Sequence, residues 1–427
     1  MAVVQAAVPS SRRVLDNGLT VLAVEDMSTQ VAGIGLVINA SAADEPDVRR
    51  GERALLQQLI LTAGRAQLLE SEQLVSPRVL ASRGIVVHTD YELCEGLFSC
   101  AADELGAALK VAAQVFFVPP LDEAHLQEAK QLVREAYDQA HSTPWQATFE
   151  LFRKAFYGSG PLAEALHAEP GLLAAVTPAD IKTLHDEQYV ASNAFLCVVA
   201  PLSAAEVMSE VEQAFGSLPT RSAPKAKPLP ALPETSEVEV GSSEALGQAS
   251  MVVGVALPPF GSDDFLVGEL IVELLQGPGG RIERDRALLQ ALGLAIPSRL
   301  LDEHYPIEVM SVPISRQPFL AAHALCAPSS IERTRQGLLR HLVALRTQSV
   351  SDNEMARARA RVINRHALEN ARPSGAALRL CRYEAFGSAE QSLHIADRLE
   401  SVTKEDLTTV ALKYFGRHAI GVQMPGR

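Results

Sequence analysis

Gly51-Glu52-Arg53-Ala54-Leu55-Leu56-Gln57-Gln58-Leu59-Ile60-Leu61-Thr62-Ala63-Gly64 reads as a helix set between two glycines. Residues three and four apart on a helix share a face, so Ala54, Gln57 and Gln58 form one patch. Two imidazoles at the ends of such a patch, with a carboxylate before the second, would hold Zn²⁺ and supply a base for the water it activates. This patch has none of those groups. Ala54 carries no donor atom. Gln58 is a neutral amide, a poor zinc ligand beside imidazole, thiolate or carboxylate. Gln57 has the shape of Glu without its basicity.

The rest of the chain holds no second helix of that kind. No two of the eleven histidines lie closer than sixteen positions, so no His-x-x-x-His pair exists. The five cysteines (Cys94, Cys100, Cys197, Cys326, Cys381) form no Cys-x-x-Cys. There is no Gly-x-Ser-x-Gly elbow, and His88 near Cys94 and Cys100 in sequence does not make a catalytic pair.

Working outward, the chain repeats itself. Val176-Thr177-Pro178-Ala179-Asp180-Ile181 recurs as Val402-Thr403-Lys404-Glu405-Asp406-Leu407. Each copy is followed by a tyrosine (Tyr189, Tyr414) and an apolar run ending in proline, Ala194 to Pro201 and Ala419 to Pro425. Thr177 and Thr403 suit helix N-caps, with acidic residues behind them. Gln30 to Ile38 is mirrored by Gln248 to Leu257, and Gly51 to Ile60 by the helix around Gly268 to Leu275. Between the copies, Leu218 to Gly247 carries Pro219, Pro224, Pro228, Pro230 and Pro233, a density that makes a stiff, extended linker. The expected organisation is a domain over 1–218, a linker over 219–246 and a second domain over 247–427. Alternating apolar strands and amphipathic helices in each half predict an α+β sheet covered by helices on one face.

These landmarks resemble the M16 (pitrilysin-like) metallopeptidases. Leu15-Asp16-Asn17-Gly18-Leu19-Thr20-Val21 is similar to the family's opening strand, with Asn-Gly as a tight turn, and Val31 to Ala40 to its second. The family's zinc helix reads His-x-x-Glu-His at the places of Ala54, Gln57 and Gln58. Gly84 to Cys100 resembles the next two strands, joined near Asp90-Tyr91-Glu92. Glu128 to Asp138 resembles the helix that brings the third zinc ligand, which places Glu135 at that ligand's position and Glu128 at a second acidic one. Alone, Glu135 reads as a helix-surface carboxylate. Ala155-Phe156-Tyr157-Gly158-Ser159-Gly160-Pro161-Leu162 is similar to the family's Phe-Tyr-Gly-x-His-Pro-Leu, with Gly160 in place of His. The resemblance implies two homologous M16/LuxS-like α/β domains, each an antiparallel sheet covered by helices. It also implies a pseudo-twofold between them and half of a clamshell overall.

The family's second reactive element is an Arg followed seven positions later by a Tyr, which hold the substrate carbonyl. Gly293-Leu294-Ala295 matches the Gly-Leu-Ala before that Tyr, so Leu289 and Ile296 stand at the two places. Arg286 takes the first role only if the loop differs by a few residues. Gly277-Pro278-Gly279-Gly280 lacks the Lys-Ser/Thr of a phosphate loop and reads as a connector; the resemblance also allows it to touch a peptide.

Composition narrows the function classes. With 38 basic and 51 acidic residues, the formal charge of −13 argues against nucleic-acid binding. Five cysteines are too few and too odd in number for a disulfide framework. No stretch reaches membrane-spanning length without charge. Met1 to Ser10 lacks the basic start and apolar run of a signal peptide, so the cytoplasm is expected, or the periplasm if a signal has been removed.

The expectation is a non-catalytic partner subunit of a two-chain M16B-type peptidase, enclosing a chamber for extended peptides. It would need no cofactor of its own; zinc would sit in a catalytic M16 paralogue. The alternative is a structural core-type subunit or a homodimer that binds peptides with no peptidase role. A self-sufficient hydrolase with a rebuilt metal site is the third reading, which metal analysis decides.

Overall fold

The computed structural model describes residues 9–41, 51–70, 86–89, 92–158, 161–163, 170–225, 227–243, 247–276, 280–282, 284–285, 288, 307–312 and 315–426. The chain divides into two compact units. The first takes residues 1–138, 166–228 and 366–394, the second 139–165, 229–365 and 395–427.

In the first unit, β1 (Ser11–Val14), β2 (Thr20–Glu25), β3 (Val31–Ile38), β4 (Val86–Thr89), β5 (Cys94–Ala101) and β6 (Ala194–Ala200) form one sheet in the order β1-β2-β6-β3-β5-β4. The Asn17-Gly18 turn closes as expected: the Gly18 N–H donates to the Leu15 carbonyl at 2.8 Å, and the strand after it begins at Thr20. Asn17 is buried. Its amide donates to the Phe215 carbonyl at 2.7 Å, and its oxygen accepts from the Leu19 N–H at 3.1 Å. The helices of this part of the chain are α1 (Glu52–Glu70), α2 (Leu105–Phe117), α3 (Glu123–His141), α4 (Pro144–Tyr157), α5 (Pro170–Leu173), α6 (Pro178–Gln188) and α7 (Ala204–Phe215), of which α4 belongs to the second unit. On β3 the even positions Ala32, Ile34, Leu36 and Ile38 join the core built with α1, α2 and α7.

In the second unit, β7 (Glu237–Ser243), β8 (Ala249–Ala256), β9 (Ile307–Val312), β10 (Phe319–Cys326) and β11 (His418–Pro425) make a sheet in the order β7-β11-β8-β10-β9. With β1 set aside, the first sheet has the same winding, β2-β6-β3-β5-β4. Each sheet is antiparallel except for one parallel pair, β2 with β6 and β7 with β11. The later helices are α8 (Phe265–Leu275), α9 (Ile331–Ala344), α10 (Asp352–Asn370), α11 (Pro373–Phe386), α12 (Ile395–Ser401) and α13 (Lys404–Tyr414), of which α11 belongs to the first unit. Thr177 and Thr403 both close capping boxes, with Asp180 and Asp406 at N3. No described helix is long and apolar enough to cross a membrane.

One expectation changes: each sheet is met by helices on both faces. α11, from late in the chain, packs on β3, β5 and β6 of the first unit, and α4, from early in the chain, packs on β7, β8 and β11 of the second. Strands covered on both faces lose the polar alternation of a half-exposed sheet, as Ala194-Phe195-Leu196-Cys197-Val198-Val199-Ala200 illustrates. Both added helices lie close enough to touch backbone. A Cβ on Gly35 of β3 would fall 2.5 Å from the Leu378 nitrogen of α11, and one on Gly421 of β11 would fall 2.3 Å from the Phe152 nitrogen of α4.

Charges fix both helices. Arg382 of α11 grips the buried Glu95 of β5 with two bonds of 2.6 Å, and Arg12 of β1 donates to Glu384 at 2.7 Å. At the other site, Arg417 donates to the Ala155 and Phe156 carbonyls in the last turn of α4, at 2.5 and 2.8 Å. Those carbonyls have no partner within the helix, and the cation also suits the negative end of its dipole.

Candidate functional site

The apolar period of α1 decides which residues face inward. Leu55, Leu56, Leu59 and Ile60 are buried in the core of the first unit. Ala54, Gln57 and Gln58 lie on the half-buried flank, with Ala54 packed against the core's margin. Arg53 anchors the helix start: its guanidinium donates to the Ala40 carbonyl at 2.6 Å and the Leu93 carbonyl at 3.4 Å. The helix is thus well seated, and the face it offers carries one methyl group and two amides. Neither kind of side chain ionises water.

Glu135 lies on the solvent side of α3. Leu126, Ala129 and Val133 make the buried stripe of that helix, while Glu128, Arg134 and Glu135 are exposed. The Gln131 amide, one turn earlier, donates to Glu135 Oε1 at 2.9 Å. Among the described residues no group of three or more His, Cys, Asp or Glu side chains is placed to hold a metal ion. Leu289, Ile296, Arg286, Gly160 and the connector positions Gly277 to Gly279 lie outside the described residues. Gly280 accepts from the Arg284 N–H at 3.2 Å in the turn after α8.

The cysteine alternatives lack reactivity. Cys94 and Cys100 are buried on β5. Burial, with Glu104 and Asp103 nearby, pushes the Cys100 thiol up to about 11, where almost none of it is thiolate at neutral pH.

One titratable group in the second unit is linked to the fold in a way sequence reading missed. The Thr148 hydroxyl of α4 donates to Ser250 Oγ of β8 at 2.8 Å, and Ser250 Oγ lies 3.0 Å from His323 Nε2 of β10. The ring of Trp145 meets His323 edge-on, with centroids 4.6 Å apart. Burial lowers the His323 pKa from 6.5 to about 4. The unfolded chain therefore binds this proton first. The stability His323 contributes is complete above about pH 6.5 and declines as pH falls toward 4, by about 3 kcal/mol in all. Trp145 is the sole tryptophan. Its emission should titrate with a midpoint near 4, and His323→Gln should abolish that step while flattening the pH dependence of urea unfolding.

The comparisons with known proteins follow the same lines. Residues 175–362 match the family model described as the peptidase M16 inactive domain. No curated protein matches the chain. Among solved structures, a protease from Helicobacter pylori superposes with a TM-score of 0.81 at 15% identity, covering 98% of this chain and 100% of that one. A peptidase M16 inactive domain from Pseudomonas fluorescens gives 0.81 at 18% identity, covering 98% of each. An M16-like peptidase from Alicyclobacillus acidocaldarius gives 0.77 at 14%, covering 97% of this chain and 98% of that one. Identities this low speak for the fold, and the family model speaks for the segment it matches. Residues 175–362 thus resemble the peptidase M16 inactive domain, the chain shares the fold of these three structures over nearly its whole length, and its first helix bears Ala54, Gln57 and Gln58.

Proposed function

We propose that this chain is the partner subunit of a two-chain M16B-type zinc peptidase, whose zinc and general base belong to a catalytic paralogue. Residues 1–218 and 247–427 are its two homologous domains, and of the stretch 219–246 expected as linker, β7 (Glu237–Ser243) is a strand of the second sheet. Its contribution is to wall a chamber for extended peptides and to stabilise the active chain. One observation carries this reading: the fold of M16-type chains is kept over nearly the whole length while α1 bears Ala54, Gln57 and Gln58. A helix so well seated, with an inert outer face, suits a role performed by shape. The test is to mix the purified chain with a catalytic M16 paralogue and measure size-exclusion elution and peptide cleavage. A 1:1 complex with raised turnover supports the reading; separate elution and unchanged turnover remove it.

A second reading is favoured by Leu289 and Ile296, which leave the chain without a carbonyl-holding pair. The chain is then a structural core-type subunit, or a homodimer that binds peptides and cuts none. A stable assembly that leaves cleavage unchanged would select it.

A further inference from the structure

In the first sheet the strand β2 runs parallel to β6, and its other side carries β1, antiparallel, in the register Ser11↔Ala23, Arg12↔Leu22, Arg13↔Val21, Val14↔Thr20. In the second sheet β7 takes the place of β2: it runs parallel to β11 at the end of the strand order. Among the described residues no strand pairs with its outer side. The two strands also differ in how their faces are covered. Val21, Leu22, Ala23 and Val24 are at most 3% exposed, whereas Val238 is 50% and Val240 64% exposed.

The side chains of β7 are sorted by face. A Cβ on Gly241 would lie 3.1 Å from Leu151 of α4, so Gly241 and, two and four positions earlier, Glu239 and Glu237 point to the α4 side. Val238 and Val240 point to the other. Natural edge strands are commonly blunted by charged side chains, proline or a bulge, and on β7 the charges are carboxylates, which repel another acidic edge but attract a basic one. Glu237 to Ser243 has no lysine, proline or bulge, and pairs with β11 without interruption. It presents two exposed carboxylates on one face and two exposed valines on the other.

We propose that β7 accepts an extended basic peptide as an added antiparallel strand, with lysine or arginine opposite Glu237 and Glu239 and apolar residues opposite Val238 and Val240. Backbone hydrogen bonds along the open edge supply affinity, and the alternation supplies selectivity. Directly opposed residues share a face and lie near enough for charge and apolar pairs to form. A second copy of this chain would bring the same carboxylates to the edge, which disfavours it as the occupant. The net charge of −13 adds long-range attraction for a cationic peptide. This site is independent of any chamber and of a catalytic partner.

The probe is a capped, fluorescent heptapeptide, Lys-Val-Lys-Val-Lys-Val-Lys, beside its reordered isomer Lys-Lys-Lys-Lys-Val-Val-Val. The alternating peptide should bind the full chain at least tenfold more tightly, and should slow hydrogen exchange over residues 237–243. The doubly substituted Glu237→Gln, Glu239→Gln chain should lose that binding at least tenfold while keeping its circular-dichroism spectrum; the amide oxygen introduced at position 237 can still accept from the Thr235 hydroxyl that Glu237 holds at 2.8 Å. Equal binding of the two peptides, binding that survives the double substitution, or no binding at all would overturn the proposal. So would a dimer on light scattering that protects 237–243 without peptide, since the edge would then belong to a second copy.

Discussion

Replacing Arg382 with leucine should destabilise the first unit by about 3–5 kcal/mol, because it leaves the buried Glu95 carboxylate without the cation that holds it. Glu95 is 2% exposed, and both its oxygens bond to the guanidinium at 2.6 Å. Taking a charge out of water costs several kcal/mol, and that cost is offset only while the partner and its hydrogen bonds remain. Glu95→Leu combined with Arg382→Leu should recover most of the loss, since two apolar side chains in contact need no solvation. Hydrogen exchange resolves the effect by segment. Amides of β5 and α11 should exchange faster in the single variant and near normally in the double one. If both variants lose the same protection, the pair has no role beyond packing volume.

Gly421→Val is expected to cost more than about 3 kcal/mol, at the upper end of overpacking effects. The added Cβ alone falls 2.3 Å from the Phe152 nitrogen and 2.4 Å from the Thr148 oxygen, both in the backbone of α4. A side chain can rotate away; a helix backbone moves only as a body. α4 would have to lift, pulling Thr148 from Ser250 and Trp145 from His323. A red shift of tryptophan emission should therefore accompany the loss of stability. Gly416→Ala is the control, because nothing lies within 4 Å of its added Cβ. It should fall within about 0.5 kcal/mol of the parent.

Much of this architecture is legible in local sequence. Thr177 and Thr403 announce helix starts because a hydroxyl there satisfies an N–H that the helix leaves over. The Asn17-Gly18 turn and the apolar runs ending at Pro201 and Pro425 place strands for equally local reasons. The inert face of α1 is legible too, since Ala54, Gln57 and Gln58 lack the necessary atoms whatever surrounds them. What is not legible is pairing across long separations. Glu95 and Arg382 lie 287 positions apart, and neither has a neighbour in sequence that names the other. Nothing in Pro144–Tyr157 or Pro373–Phe386 states which sheet each will cover, because an apolar stripe fits any apolar surface of matching shape. The solvent-facing position of Glu135 follows from the stripe Leu126, Ala129 and Val133, and is read only when the whole turn is counted.

The reciprocal placement of α4 and α11 sets the order in which the molecule can mature during synthesis. When residue 228 has left the ribosome, the first sheet still lacks a helix that will be made about 150 residues later, roughly ten to thirty seconds at ordinary elongation rates. Until then Gly35 and its strand neighbours form an uncovered apolar floor. A nascent chain in that condition invites chaperones, and a recombinant piece ending at the proline-rich stretch should be insoluble unless the missing helix is supplied in trans.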